Sequence, residues 1–120
     1  MVSLGSYIGN DALDYILNSG TVWVALHTSN PGVTGLLSTE VVGASYERLE
    51  CEFSVPSSKT SANDTKLIWD NMPSCTVTYV AAWDAEFGGH IIAFGPMSTP
   101  ESLSFGDQFV IPAGEFAISI

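Results

Sequence analysis

The chain has 120 residues, of which 46% are hydrophobic and only 13% are charged, and its formal net charge is −10. This length fits one domain, residues 1–120, with a single hydrophobic core. Its three cations, Arg48, Lys59 and Lys66, are too few for counterion displacement on nucleic acid or for contact with an acidic membrane, so neither is an expected partner.

The N-terminal segment has the pattern of an amphipathic helix over about residues 3–18. Ser3 is a suitable N-cap, and Asn18-Ser19-Gly20 supplies a helix stop. Gly5 and Gly9 lower helix propensity, so the helix is expected to depend on packing of its apolar stripe. The stripe consists of residues spaced mostly by three and four: Leu4, Tyr7, Ile8, Ala12, Leu13, Ile16 and Leu17.

A β-rich run over residues 21–27 follows the helix and is apolar on both faces at its centre, which is typical of a buried strand. Ser29-Asn30-Pro31-Gly32 supplies turn residues that end this strand. Residues 33–45 show no sustained period. They are interpreted as a surface excursion held by two apolar pairs, Leu36-Leu37 and Val41-Val42.

The alternation over residues 46–53 predicts a second strand. Its inward face carries the apolar residues Leu49, Cys51 and Phe53. Its outer face carries Tyr46, Arg48, Glu50 and Glu52. Arg48 is therefore expected to pair with a carboxylate, either in a surface ion pair or in an interface contact that sets the register between subunits.

The second half of the chain alternates turn residues with short β-rich runs. A polar loop is predicted over residues 57–64. The clearest hairpin signal is Ala85-Glu86-Phe87-Gly88-Gly89, a short connection with a Gly-Gly pair. The predicted strands are residues 65–70, 75–84, 90–94, 102–105 and 114–120, with 108–111 between the last two.

About seven short strands after one helix predict a mainly β fold, an antiparallel, jelly-roll-like β-sandwich with one N-terminal α-helix. The chain ends on Ile118-Ser119-Ile120 without a polar tail. A chain that ends inside a strand is normally tied into a sheet or into a neighbouring subunit. Ile118 and Ile120 are therefore candidate interface residues.

Cys51 and Cys75 have neither the close spacing of a metal site nor a redox motif. Both lie in predicted strands, where a free cysteine behaves as a small apolar residue. The first residues lack the charged and apolar parts of a secretory signal, so synthesis in a cytoplasm is expected. A reducing cytoplasm favours free thiols, and a disulfide between them is the alternative.

The sequence offers no convincing catalytic, metal or cofactor site. Asp84, Glu86 and His90 surround the predicted hairpin and could together hold a cation, but acidic residues at a turn are more often solvated. No nucleophile elbow, phosphate loop or dinucleotide fingerprint is present. The chain is therefore expected not to be an enzyme, and no cofactor is assigned.

The tryptophans raise a different possibility, a flat surface for stacking on sugar rings. Trp23 and Trp83 lie inside apolar runs and are interpreted as core residues. Trp69, beside Asp70, is the best candidate for an exposed contact. A carbohydrate-binding module is therefore one alternative function.

The low charged fraction, against about 25% in an ordinary soluble domain, leaves much apolar surface to be covered. Burial in an oligomer is the favoured explanation, because stable subunit interfaces resemble a domain core. A self-sufficient core is the alternative.

Several short phrases occur in a fixed order along the chain. They are Val24-Ala25-Leu26-His27-Thr28, Asn30-Pro31-Gly32, Glu40-Val41, Tyr46-Glu47-Arg48, Trp83-Asp84, Gly88-Gly89 and the closing segment from Gly106 to Gly114. In this order, over roughly residues 4–120, the chain resembles a family of small virion proteins of tailed bacteriophages, usually labelled tail fibre or tail fibre adaptor proteins.

The resemblance implies a non-enzymatic structural protein of the virion. A tail fibre or tail adaptor subunit implies a rotationally symmetric homo-oligomer, commonly a trimer, bound to other virion proteins. A capsid decoration protein is the alternative within the same class. From another class, a carbohydrate-binding module would contact a host surface glycan.

Overall fold

The structure is a computed structural model that describes residues 2–120. Met1, the first residue of the predicted 1–120 domain, lies outside the described residues. Within them the chain forms one α-helix, α1 (Ser6–Asn18), a short 3-10 turn (Leu37–Thr39) and eight strands. The strands are β1 (Val22–His27), β2 (Leu49–Cys51), β3 (Thr60–Ala62), β4 (Leu67–Trp69), β5 (Cys75–Trp83), β6 (Ile91–Leu103), β7 (Phe109–Ile111) and β8 (Ala117–Ser119).

The strands of residues 2–120 form one four-stranded sheet, in the order β2-β1-β5-β6, and two ribbons, β3-β8 and β4-β7. Every one of these pairs is antiparallel. The predicted mainly β, antiparallel fold with one N-terminal α-helix is therefore confirmed.

The main core lies between one face of the four-stranded sheet, the two ribbons and α1. Strand β1 contributes Val22, Val24 and Leu26, each 2% exposed or less. The ribbon β4-β7 contributes Trp69 and Phe109, whose rings meet edge to face at 5.7 Å. Full burial of each aliphatic side chain contributes about 1.5–3 kcal/mol, so this core carries most of the stability of the fold.

The opposite face of the sheet is also covered. The register pairs Ala25 with Ala81 and Trp23 with Trp83, and the buried residues Ala25, Ala81 and Trp83 form a second cluster. Because the two alanines are small, the indole of Trp83 reaches along the sheet to His27, with ring centroids 6.0 Å apart. Burial on both faces explains why the β1 sequence is apolar without alternation.

Three of the predicted boundaries are wrong. The strand expected over residues 46–53 is limited to β2, because residues 28–48 fold as a connection over the second face of the sheet. The polar loop expected over residues 57–64 contains β3, whose Ser61 is 1% exposed and donates a hydrogen bond to Ser54 O at 2.6 Å. Strand β6 continues from Ile91 to Leu103 as one element instead of two.

Strand β6 lies at the edge of the sheet and contains Pro96 and Pro100. Proline is compatible with an edge strand because its missing N–H leaves no hydrogen bond to the inner neighbour unmade. The pairing of β5 with β6 is interrupted between Val77 and Tyr79, where the partners change from Glu101 to Pro96. The interruption explains why the sequence pattern separated this long strand into two.

The predicted helix is present, but it begins at Ser6 instead of about residue 3, and Gly5 rather than Ser3 is its N-cap residue. Its apolar stripe is mostly not buried. Gly9, Leu13 and Leu17 are the helical residues that are buried. Lys59 packs against α1 at Gly9, and two of its side-chain carbons lie 2.5 and 2.6 Å from where a Cβ on Gly9 would stand. Because glycine leaves room for Lys59, the Gly9 side of α1 packs against the ribbon β3-β8.

Candidate functional site

Arg48 lies at the centre of a polar network on the second face of the sheet. Its Nε is 3.0 Å from Glu40 Oε2 and its Nη2 is 3.0 Å from Glu40 Oε1, a two-point ion pair. The two side chains are 3% and 14% exposed. The expected carboxylate partner is confirmed, whereas the expected surface location is wrong because the connection carrying Glu40 folds over this face.

The remaining nitrogen of Arg48 binds the turn between β5 and β6. Nη1 donates to Ala85 O and to Gly88 O, both at 2.8 Å. The guanidinium carbon lies 4.3 Å from the centroid of the Trp83 ring, in a cation–π contact. One side chain therefore holds together the β1–β2 connection, the β5–β6 turn and the sheet beneath them.

Tyr46 connects Glu40 to strand β1. Its hydroxyl donates to Glu40 Oε2 at 2.7 Å and accepts from the backbone N–H of Leu26 at 3.0 Å. Burial, and then the nearby charge of Glu40, raise the pKa of the Tyr46 phenol. The phenol therefore stays protonated and donates at every ordinary pH.

His27 forms a second chain of hydrogen bonds in the same place. Its Nε2 accepts from Trp83 Nε1 at 3.3 Å, which leaves the proton on Nδ1 in the neutral ring. Nδ1 then donates to Thr39 Oγ1 at 2.8 Å, and the hydroxyl of Thr39 donates to Leu36 O at 2.9 Å. Burial lowers the pKa of His27, with Glu40 opposing and Arg48 adding to the effect.

We call this group of hydrogen-bonded side chains the Arg48 network. It consists of His27, Thr39, Glu40, Tyr46, Arg48 and Trp83. Among residues 2–120, no buried side-chain nitrogen or oxygen lacks a hydrogen-bond partner. Its carboxylate is occupied by donors from Arg48 and Tyr46. These bonds fix the β1–β2 connection, the β5–β6 turn and strand β1 relative to one another.

Asp84, at the start of the β5–β6 turn, bonds to His90 at the end of the turn. Asp84 Oδ1 accepts from the backbone N–H of His90 at 2.7 Å, and Asp84 Oδ2 lies 3.2 Å from His90 Nδ1. The backbone hydrogen bond from His90 lowers the pKa of Asp84. No group of three or more potential metal ligands is found among the described residues.

The ordered phrases of the sequence meet in space. The Arg48 network takes residues from four of these phrases: His27 from the first, Glu40 from the third, Tyr46 and Arg48 from the fourth, and Trp83 from the fifth. The Asn-Pro-Gly phrase closes by a bond from Gly32 N to Asn30 Oδ1 at 2.8 Å, and Pro31 is fully buried. The phrases are therefore parts of one scaffold.

The closing phrase holds the opposite side of the fold together. Gly106 N donates to Met72 O at 2.8 Å, and Met72 N donates to Asp107 O at 2.9 Å. Asn63 donates to Pro112 O at 3.1 Å and accepts from Gly114 N through its backbone carbonyl at 2.9 Å. This phrase clamps the ends of the ribbon β4-β7.

The prediction of an exposed Trp69 is wrong. Its side chain is 3% exposed, packs against Phe109 and donates from Nε1 to Glu47 O at 2.9 Å. Strand residues alternate in direction, so the exposed Asp70 next to it says nothing about where Trp69 points. The sugar platform proposed for this residue therefore has no accessible ring.

The two C-terminal candidates differ in exposure. Ile118 is partly buried against the main core, and Ile120 is 44% exposed. The backbone N–H of Ile120 donates to Lys59 O at 3.0 Å, beside α1. Their part in an interface stays a prediction. Cys51 is buried, Cys75 is partly buried, and both described thiols are free.

The sequence pattern missed an exposed apolar surface on α1, because four of its five residues were assigned to a buried stripe and Tyr15 was not part of that stripe. The α1 outer face consists of Leu4, Tyr7, Ile8, Tyr15 and Ile16, which are 45%, 81%, 55%, 74% and 43% exposed. Leu13 and Leu17 are buried on the other side, and the exposed polar residues Asp11, Asp14 and Asn18 also lie on the helix. Five exposed large apolar side chains on one segment form a surface suited to contact with another protein.

Comparison with known proteins gives a family for the chain. Among residues 2–120, no helix is long and apolar enough to cross a membrane. No curated protein sequence matches the chain. A protein-family profile described as Podophage GP4 fiber I protein gp80 matches residues 4–119. Because this match covers nearly the whole chain, the chain belongs to this bacteriophage tail fibre family and is a component of the virion.

Proposed function

We propose that the chain is a non-enzymatic structural subunit, a tail fibre or tail adaptor protein that assembles with copies of itself and with other virion proteins through apolar surfaces. The observation that carries this proposal is the α1 outer face. An exposed apolar patch on an isolated chain marks an interaction site. A trimer is the proposed stoichiometry, because a tail fibre or tail adaptor role implies a rotationally symmetric oligomer, commonly a trimer.

Ile120 is a second exposed apolar residue beside the helix. Its Cγ2 lies 3.4 Å from where a Cβ on the buried Gly9 would stand, so it adjoins the side of α1 that packs on the ribbon β3-β8. The proposed interface contains the α1 outer face and, beside the helix, Ile120, which is 44% exposed. Arg48 is buried inside the chain, so its contribution to register is to fix loops rather than to touch a neighbour.

Light scattering on the purified chain tests self-association. We expect an oligomer whose formation is favoured by added salt, because each copy carries a formal charge of −10 and salt screens their repulsion. Replacing Ile8 and Tyr15 together by aspartate should give a folded monomer. Val55→Asp is the control, since Val55 is 84% exposed and is not part of the α1 outer face.

A wild-type monomer at both low and high salt would contradict the self-assembly part of the proposal. Equal disruption by Val55→Asp would show that added charge, and not the α1 outer face, controls association.

Immunogold labelling of virions with an antibody to the chain distinguishes a tail location from capsid decoration. Label confined to the capsid would contradict the tail role.

A further inference from the structure

We propose that a cleft beside the Arg48 network binds a segment of another virion protein in which a lysine or arginine stands next to apolar residues. We call this cleft the tip cleft, and its volume is about 360 Å3. It is walled by Leu37, Val42 and Phe87, with Glu47 and Glu86 also lining it. The inference deepens the proposed function, and rests on it for placing the partner in the virion.

The apolar walls come from two separate parts of the chain. Leu37 and Val42 belong to the β1–β2 connection and are 51% and 81% exposed. Phe87 belongs to the β5–β6 turn and is 80% exposed. Exposed single apolar residues are common, but three that converge on one concave surface indicate a binding site.

The walls are held in place before any partner arrives. Arg48 bonds to the carbonyls of Ala85 and Gly88, which flank Phe87 on both sides. Its other partner, Glu40, lies between Leu37 and Val42 in the chain. A binding surface that is already ordered avoids the entropy cost of fixing loops on association. The buried ion pair therefore explains how two exposed loops keep a defined shape.

The charge of the tip cleft selects the partner. Glu47 and Glu86 are both exposed, whereas the charge of Arg48 is matched by Glu40. Neither Lys59 nor Lys66 lines the cleft. The described surface there is therefore negative, and a cation from the partner would be complementary to it.

A second copy of this chain offers little positive charge to the cleft. Of its three cationic side chains, Arg48 is buried, the amine of Lys59 donates to Leu4 O at 2.8 Å, and Lys66 is exposed. Each copy also brings a formal charge of −10, so repulsion from the negative cleft outweighs the single exposed lysine. The complementary occupant is consequently a different protein, with a basic residue for the two glutamates and apolar side chains for Phe87 and its neighbours.

Fluorescence polarisation with short synthetic peptides that tile the other virion proteins of the same phage tests this inference. We expect the bound peptides to share a lysine or arginine next to apolar residues. Phe87→Ser should weaken their binding about tenfold, the size of a typical interface anchor. Phe105→Ser is the matched control, because Phe105 is 73% exposed and lies outside the cleft.

Variants of Glu47 and Glu86 test whether the negative charge of the tip cleft contributes to binding. Replacing Glu47 and Glu86 by glutamine should weaken binding and reduce its dependence on salt. Glu101→Gln and Glu115→Gln remove the same charge from exposed positions away from the tip cleft and should change neither.

Three results would overturn the tip cleft: no peptide binds, the bound peptides lack the basic and apolar pattern, or Phe105→Ser is as harmful as Phe87→Ser. The variant with aspartate at Ile8 and Tyr15 keeps the two proposals apart, because it should still bind the peptides. An oligomer that binds no peptide would refute the tip cleft alone. A monomer that binds basic peptides would refute self-assembly alone.

Discussion

Replacing Arg48 by methionine tests whether the Arg48 network is a main support of the fold. Methionine keeps most of the side-chain volume but removes the ion pair, the two bonds to the β5–β6 turn and the contact with Trp83. The carboxylate of Glu40, 14% exposed, loses its cation. We expect the variant to be folded but strongly destabilised.

The expected loss follows from the burial of the pair. Removing one partner of a buried ion pair costs about 3–5 kcal/mol, whereas an exposed pair contributes about 0–1 kcal/mol. Because Glu40 retains some contact with water, the lower end, about 3 kcal/mol, is expected. This is a large share of the roughly 5–15 kcal/mol that stabilises a typical domain.

Urea unfolding followed by tryptophan fluorescence measures the free energy of unfolding. With a urea dependence of about 1–3 kcal/mol per molar, the midpoint should fall by roughly 1–3 M. Lys66→Met removes the same charge from an exposed side chain and should stay within about 0.5 kcal/mol of wild type. Adding Glu40→Gln to Arg48→Met should restore part of the loss, because the unpaired charge disappears.

A loss below about 1 kcal/mol for Arg48→Met would refute the reasoning, because it is the value of a surface pair. Failure of Glu40→Gln to restore stability would show that the loss comes from packing on Trp83 and not from the unpaired carboxylate.

Three further predictions concern single residues. Gly35 has φ +75°, and a Cβ there would stand 2.7 Å from Trp83 Cη2, whereas Gly32 has φ +71° and a Cβ there would meet open space. Gly35→Ala should therefore lower the free energy of unfolding by about 1–3 kcal/mol more than Gly32→Ala. Equal losses in urea unfolding would contradict the close packing. The lowered pKa of His27 means that the unfolded chain binds more protons below pH 6.5, so stability should fall between pH 7.5 and 5.5 in wild type and less in His27→Gln; parallel curves would refute this assignment. Burial raises the pKa of Cys51 to about 12, so a thiol reagent should modify the less buried Cys75 first, as peptide mass spectrometry can determine; faster modification of Cys51 would indicate that β2 opens.

The sequence pattern was sufficient for elements whose burial follows from local periodicity. Helix α1, strand β1 and the β5–β6 turn were predicted close to their observed bounds, because a period of 3.6, a continuous apolar run and a Gly-Gly pair are local signals. Strand β3 was missed because its polar residues are paired with β8, nearly sixty residues later in the chain. A contact between such distant segments leaves no local periodicity.

The positions of Arg48 and Trp69 were mispredicted for a related reason. The alternation correctly places Arg48 on the opposite face of the strand from Cys51 and Phe53. A local pattern could not show that the β1–β2 connection folds over this outer face. Glu40, the actual partner, stands eight residues before Arg48 and outside any strand. For Trp69, the neighbour Asp70 suggested exposure, whereas the alternation of β4 places the indole in the core.

The edge strand β6 has a consequence for the proposed assembly of copies of this chain. An edge strand of thirteen residues offers its free backbone groups to any other exposed strand, and close neighbours raise the chance of such pairing. Pro96 and Pro100 each lack an N–H, so a foreign strand cannot form an uninterrupted ladder along this edge. In the proposed assembly, apolar surfaces would then bring subunits together while the sheets themselves remain separate, so that the subunits do not form an open-ended aggregate.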